Sequence, residues 1–266
     1  MNLKPNFRLF RAVLSLYLLS SFTVNAQSPA RQKAERSPAQ APATVPAMPT
    51  AEEILSRYLE AVGGRAAWQK LNSRVSSGTI DVPAMSLSGT VEIHEKAPNR
   101  VLTVVAIGGA AFRQGFDGTV GWTDDPQNGL RDQTGAELAE TEREADFYAP
   151  LNIRSHYTKF TVSGREKIGD RDAYCVLATV GERGSPDKMY FDAQTGLPIR
   201  MVSEHHSPEG VSAFQEDLAD YREVDGVKLP FTILQTSTDS AFTIKITEVH
   251  HNISLDDHEF AKPAAE

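Results

Sequence analysis

Met85-Ser86-Leu87-Ser88-Gly89-Thr90-Val91-Glu92-Ile93-His94 is the stretch whose pattern settles the fold class. Met85, Leu87, Gly89, Val91 and Ile93 alternate with Ser86, Ser88, Thr90, Glu92 and His94. Successive side chains leave an extended strand on opposite sides, so a period of two predicts a half-buried strand with one apolar face. Working outward, Pro83-Ala84 separates this strand from one over 75–82, and Ala97-Pro98-Asn99 turns it into 100–107. Gly108-Gly109 then leads to 111–116, and the tight Asp117-Gly118 hairpin signal to 120–123. Further strands are predicted over 160–168, 173–180, 188–192, 198–206, 212–223, 227–236 and 242–252. Their connections carry Gly, Asp and Pro turn chemistry, as in Gly169-Asp170, Gly184-Ser185-Pro186 and Asp225-Gly226. Eleven or twelve strands joined mostly by short turns predict an antiparallel meander, and a sheet that long curls strongly or closes.

Two helical regions interrupt this pattern. Thr50-Ala51-Glu52-Glu53 is a capping box, followed by Ile54, Leu55, Tyr58, Leu59 and Val62 at helical spacing. Gly63-Gly64 ends that helix, and a short second one is predicted over 65–71, with Trp68 and Leu71 facing the core. In mid-chain, 134–148 is Glu- and Ala-rich and reads as a helix. Pro150 and a short helical segment over 151–157 follow it. A helix inserted between strands is placed to lie across the concave face of a sheet.

The start of the chain predicts export. Lys4, Arg8 and Arg11 precede an apolar stretch over 12–24, too short for the roughly 20 residues of a membrane-spanning helix. Val24-Asn25-Ala26 is a suitable exit, so residues 1–26 read as a signal peptide cleaved near Ala26, and the mature chain is expected in the periplasm. Residues 27–49 hold five Pro and six Ala without apolar periodicity, and read as a disordered spacer. Residues 50–266 then form one β-domain. Cys175, the only cysteine, sits in an apolar strand and reads as a buried small hydrophobe. The formal charge is −8; removing +3 for the signal and +2 for the spacer leaves −13 on the folded part. Such acidity opposes nucleic acid and anionic lipid surfaces, but not an apolar ligand held inside.

Four motifs in order carry a family resemblance: Ala61-Val62-Gly63-Gly64, Gly115-Phe116-Asp117-Gly118-Thr119-Val120-Gly121-Trp122, Tyr190-Phe191-Asp192-Ala193-Gln194-Thr195-Gly196-Leu197-Pro198, and Asp220-Tyr221-Arg222-Glu223-Val224-Asp225-Gly226-Val227-Lys228-Leu229-Pro230-Phe231. Together, over nearly all of 50–262, they resemble the outer-membrane lipoprotein-sorting-like proteins of the LolA/LolB/LppX-like superfamily. The resemblance implies a mainly β, half-open β-barrel whose N-terminal and mid-chain helices cover its concave face. It also implies a hollow that shelters acyl chains, with lipid or acylated protein as cargo and envelope membrane proteins as possible partners. A monomer is expected. Exposed methylenes cost about 0.8 kcal/mol each, so such a shuttle needs a greasy interior. Candidate lining residues are Met85, Leu87, Val91, Ile93, Trp122, Met201, Phe231 and Ile233; the competing reading of such stripes is plain packed core.

Motifs for chemistry are absent from the sequence. It has no Gly-x-Ser-x-Gly elbow, phosphate loop or dinucleotide fingerprint, and one cysteine rules out a cysteine-based zinc site. His205-His206 and His250-His251 are strand neighbours that point to opposite faces, so neither pair readily chelates one ion. No cofactor, metal or catalytic residue is expected, and the chain reads as a binder. The alternative is a lipid- or envelope-stress-sensing module of the same fold without a transport role. A hydrolase hidden in the hollow would be marked by inward-facing titratable residues.

Overall fold

β1 (Ser73–Val82) enters the sheet in its middle, not at an edge. From there β2 (Leu87–Lys96), β3 (Arg100–Ile107), β4 (Ala110–Phe116), β5 (Gly121–Asp125) and β6 (Gly129–Asp132) step outward as hairpins. Helices α3 (Gly135–Glu144) and α4 (Ala149–His156) carry the chain to the opposite edge. β7 (Lys159–Ile168), β8 (Arg171–Thr179), β9 (Asp187–Asp192), β10 (Pro198–Ser207), β11 (Gly210–Val224), β12 (Val227–Ser237) and β13 (Ala241–His251) then step back inward. β13 finally pairs with β1. The result is one unclosed sheet of 13 antiparallel strands with β6 and β7 as its edges, the mainly β, half-open barrel that the sequence predicts. Every sequence neighbour pairs except β6 with β7, and the β1–β13 ladder replaces that contact. This computed structural model describes residues 47–181, 185–207, 210–237 and 240–264, so the predicted signal and most of the spacer lie outside the described residues.

The sequence rules act locally as expected at α1 (Ala51–Ala61). The Thr50 hydroxyl accepts from the Glu53 N–H at 3.2 Å, and the Glu53 carboxylate accepts from the Thr50 N–H at 2.7 Å. Together they satisfy two of the free donors at the helix start. The chain leaves α1 through Gly63 at φ 114°, where a side chain would strike the Gly226 carbonyl. That close approach lets the Lys228 N–H donate to the Val62 carbonyl at 3.1 Å, fastening α1 to β12. α2 (Gly64–Trp68) follows at once, and the Trp68 indole donates to the same carbonyl at 3.2 Å.

One expectation needs correction, and one strand goes unannounced in the sequence. Met85 does not begin a strand: Pro83–Met85 is a single 3-10 turn, and Ser86 sits left-handed at φ 52°, so β2 starts at Leu87. β6 has no apolar alternation to announce it; an Asx turn forms it, with Asp125 accepting from the Gln127 and Asn128 N–H groups at 2.8 and 2.9 Å.

Strand register divides the side chains between two faces. Val91 lies opposite Val105, Val105 opposite Phe112, Ile80 opposite Ile244, and Ile233 opposite Ile244, so all point to one side. Val176 opposite Met189, and Met189 opposite Met201, continue that face to the other edge. It is the inner face, because Ile54 and Leu55 of α1 and Ile153 of α4 pack on Val176, Met189 and Phe191. The C-terminal tail crosses the outer face. There Lys96 donates to the Leu255 carbonyl at 2.6 Å, and the Trp122 indole to the Phe260 carbonyl at 2.9 Å.

Candidate functional site

The inner face has two unlike halves. On β1–β4, β12 and β13, Ile80, Val91, Val105, Ile107, Phe231, Phe242, Ile244 and Ile246 pack against one another as a buried cluster. On β8–β10 the sheet is roofed by α1 and α4, and a cavity of about 250 Å³ remains beneath them. Its sheet side is apolar: Met189 and Phe191 of β9, Met201 of β10 and Leu218 of β11. Its helix side is Tyr58 of α1 with Ala149 and Ile153 of α4. Glu140, Arg143 and Glu144 of α3 line it as well, with His156, Tyr157 and Asp187.

An adjoining hollow of about 400 Å³ shares Tyr58, Glu144, Ala149, Pro198 and Leu218 with the first. Arg74, Glu95, Asp146 and Lys228 make it more polar. Glu95 accepts two hydrogen bonds from the Arg74 guanidinium, at 2.5 and 2.6 Å. The rings of Trp68 and Phe147 flank that guanidinium at 5.9 and 5.8 Å, a geometry suited to cation–π attraction.

α3 is an unusual cover, because the side chains it buries are polar: Glu137, Glu140 and Thr141. Glu137 accepts two hydrogen bonds from Arg131 of β6, at 2.6 and 2.8 Å. Gln114 of β4 donates to the Thr141 hydroxyl at 3.4 Å, and the His206 N–H of β10 donates to Glu140 at 3.0 Å. The helix is thus strapped by hydrogen bonds from the β4–β6 edge to β10, across the gap left by the unpaired edges.

The electrostatic centre of the cavity is Asp187. Burial pushes its carboxyl above the ordinary carboxylate range; Tyr157, donating at 2.9 Å, and the Arg143 charge oppose the rise, while Glu140 and Glu204 add to it. Burial, with Asp187 beside it, also pushes the Tyr157 phenol up. Tyr58 rises through burial alone. These titratable residues are the feature that would mark a hidden hydrolase, so the His156–Asp146 pair at 2.8 Å bears on that reading. Asp146 also accepts from the Tyr148 N–H at 2.9 Å and from Asn152, so it fastens the α3–α4 corner. Among the described residues no serine, threonine or cysteine hydrogen-bonds His156. No three described His, Cys, Asp or Glu side chains converge as metal ligands. No described helix is long and apolar enough to cross a membrane.

In sequence, no family model and no curated protein matches this chain. Solved structures do match its shape. A Vibrio parahaemolyticus domain assigned to outer membrane lipoprotein sorting is 12% identical, covers 80% of this chain and 97% of its own, and has a TM-score of 0.54. A LolA superfamily protein from Nitrosomonas europaea is 14% identical, covers 81% and 99%, and scores 0.51. This chain has the LolA-like fold. A DUF1329 family protein from Desulfovibrio piger shares it at 12% identity, covering 79% and 96% with a TM-score of 0.51.

On this LolA-like sheet the eight residues singled out from the sequence fall in three places. Val91 and Phe231 are buried in the self-packed half, with Met85, Leu87, Ile93 and Ile233 packed against it. Met201 alone of the eight lines the 250 Å³ cavity. Trp122 is on the outer face: it lies opposite Gly115, one residue out of phase with the inward Gln114–Thr123 pair, under the C-terminal tail. Alternation does not single out Met189 and Phe191. Their strand hides its inward face, because Tyr190 between them is also buried, in an outer cluster with Ala173, Cys175 and Ile199. Burial pushes the Cys175 thiol up there, as befits an inert small hydrophobe.

Proposed function

We propose that this protein works outside the cytoplasm as a carrier, holding a hydrocarbon chain of a lipid or acylated protein in the cavity between β8–β11 and helices α1 and α4. The observation that carries this reading is the 250 Å³ hollow with an apolar floor under a helical roof. The export-type N-terminus and a neighbour assigned to lipoprotein sorting support it. It is a binding function, not a catalytic one.

Volume limits the cargo. If a methylene fills the ~30 Å³ of a liquid water molecule, 250 Å³ holds about eight. The resting cavity therefore takes one short chain, or the end of a longer one, and not several full acyl chains. Larger cargo requires α3 and α4 to move. Burying eight methylenes releases about 6 kcal/mol, comparable with the low end of the cost of association. Binding through the chain alone is therefore weak and reversible, as a carrier needs.

The test is a chain-length series of alkyl amphiphiles with one head group, measured by isothermal titration calorimetry. Affinity should climb with each methylene to about eight carbons and then level off. Absence of binding, or a climb that continues unchanged to sixteen carbons, would overturn the proposal.

A further inference from the structure

We propose that the cavity selects a single-chain amphiphile with a zwitterionic head, its anionic group on Arg143 and its cationic group on Asp187. This rests on reading the cavity as a hydrocarbon-chain site, and adds the head group that site takes.

Two arginines line the cavity, and they differ. Arg200 pairs by register with Asp217, which accepts from it at 2.5 and 3.0 Å, so its charge is satisfied. Arg143, half-buried on α3, has no carboxylate within 4.0 Å among the described residues. A guanidinium in that setting presents a fork of donors to an incoming acceptor such as a phosphate or carboxylate. Asp187 is the opposite case. It is only 7% exposed, and among the described residues its carboxylate accepts one hydrogen bond, from the neutral Tyr157 hydroxyl at 2.9 Å. A buried carboxylate without a cationic partner is costly. Burial, with Glu140 and Glu204 nearby, keeps its proton affinity high, and a bound cation would relieve that.

Arg143 influences Asp187 through space, yet the two form no ion pair. An unpaired cation on α3 and an undercompensated anion on β9 thus face one apolar cavity. A purely anionic head would gain Arg143 but meet Asp187 and Glu140. A purely cationic head would gain Asp187 but meet Arg143. A head carrying both signs meets neither penalty.

The experiment compares four eight-carbon probes below their micellar concentrations, by calorimetry on the mature protein: octylphosphocholine, octanoate, octyltrimethylammonium and octyl glucoside. Phosphocholine without a chain is the fifth arm. Octylphosphocholine should bind at least about tenfold more tightly than each other probe, the lower end for hydrogen bonds to charged groups. Chain-free phosphocholine should not bind detectably, which separates a lipid head from the free group. Arg143→Gln should bring octylphosphocholine down to the level of octyltrimethylammonium. Asp187→Asn, which keeps an acceptor for Tyr157, should bring it down to the level of octanoate. Equal affinity for all four chains would overturn the head-group inference and leave the chain site standing; failure of every chain to bind would overturn both. The four-probe comparison on the unaltered protein decides the matter even if a variant folds poorly.

Discussion

The two halves of the inner face use the same kinds of side chain for different ends. In the half built on β1–β4, β12 and β13, Ile80 faces Ile244 and Val91 faces Val105 across strands, and these side chains pack against one another. In the half built on β8–β10, helices α1 and α4 stand between the sheet and solvent, and a cavity survives below them. An apolar stripe is thus packing where strand meets strand, and lining where a helix bridges above it. The roofed cavity also admits charge, through Asp187 of β9 and Arg143 of α3.

The largest effect that separates the halves is on stability. Ile80 is fully buried in the self-packed half. Ile80→Ala should cost about 3–4 kcal/mol in urea denaturation, with chain binding by the folded protein unchanged. A loss of binding without a loss of stability would place the functional cavity in the wrong half. The next effect is on binding. Met201→Trp adds bulk at the cavity floor and should weaken octyl-chain binding about tenfold or more, while stability, because the ring enters existing space, should fall by no more than about 1–3 kcal/mol, as for an overpacked core. Unchanged affinity would mean that chains bind elsewhere.

The smallest effect is a pH dependence. Asp187 has a folded pKa above its ordinary 3.8, so the folded state holds the proton more tightly than the unfolded chain. Stability is then lost as pH rises from about 3.8 through the raised value. Asp187→Asn should remove that part of the decline, leaving the variant at least as stable as the parent at neutral pH and no more stable in acid. Parallel melting profiles across that range would show that Asp187 ionises as it does in the unfolded chain.

Legibility in the sequence follows the same division. Period-two patterning and Asp-Gly turns made nearly every strand readable, and the Thr50–Glu53 box marked the first helix. β6 was not readable, because four edge residues with no buried face leave no periodic trace. The β1–β13 pairing was not readable either: it joins strands about 170 residues apart, and nothing local encodes which strands become edges. For the site, alternation showed which residues share a face, but not which part of that face a helix would roof. Hence six of the eight named residues lie in or against the self-packed half and only Met201 lines the cavity. Asp187 and Arg143 carry no sequence signal, because a lone Asp at a strand start and a lone Arg in a Glu-rich helix resemble ordinary surface charge.

Methionine methyl signals offer the most direct test, because nature has placed reporters in both halves: Met85 against the self-packed cluster, and Met189 and Met201 on the cavity floor. With 13C-methyl methionine labelling and titration of an octyl amphiphile, the Met189 and Met201 resonances should shift together and saturate while Met85 stays in place. Movement of Met85 with Met189 and Met201 unmoved would contradict the account, since the chain would then enter the half assigned here to packing.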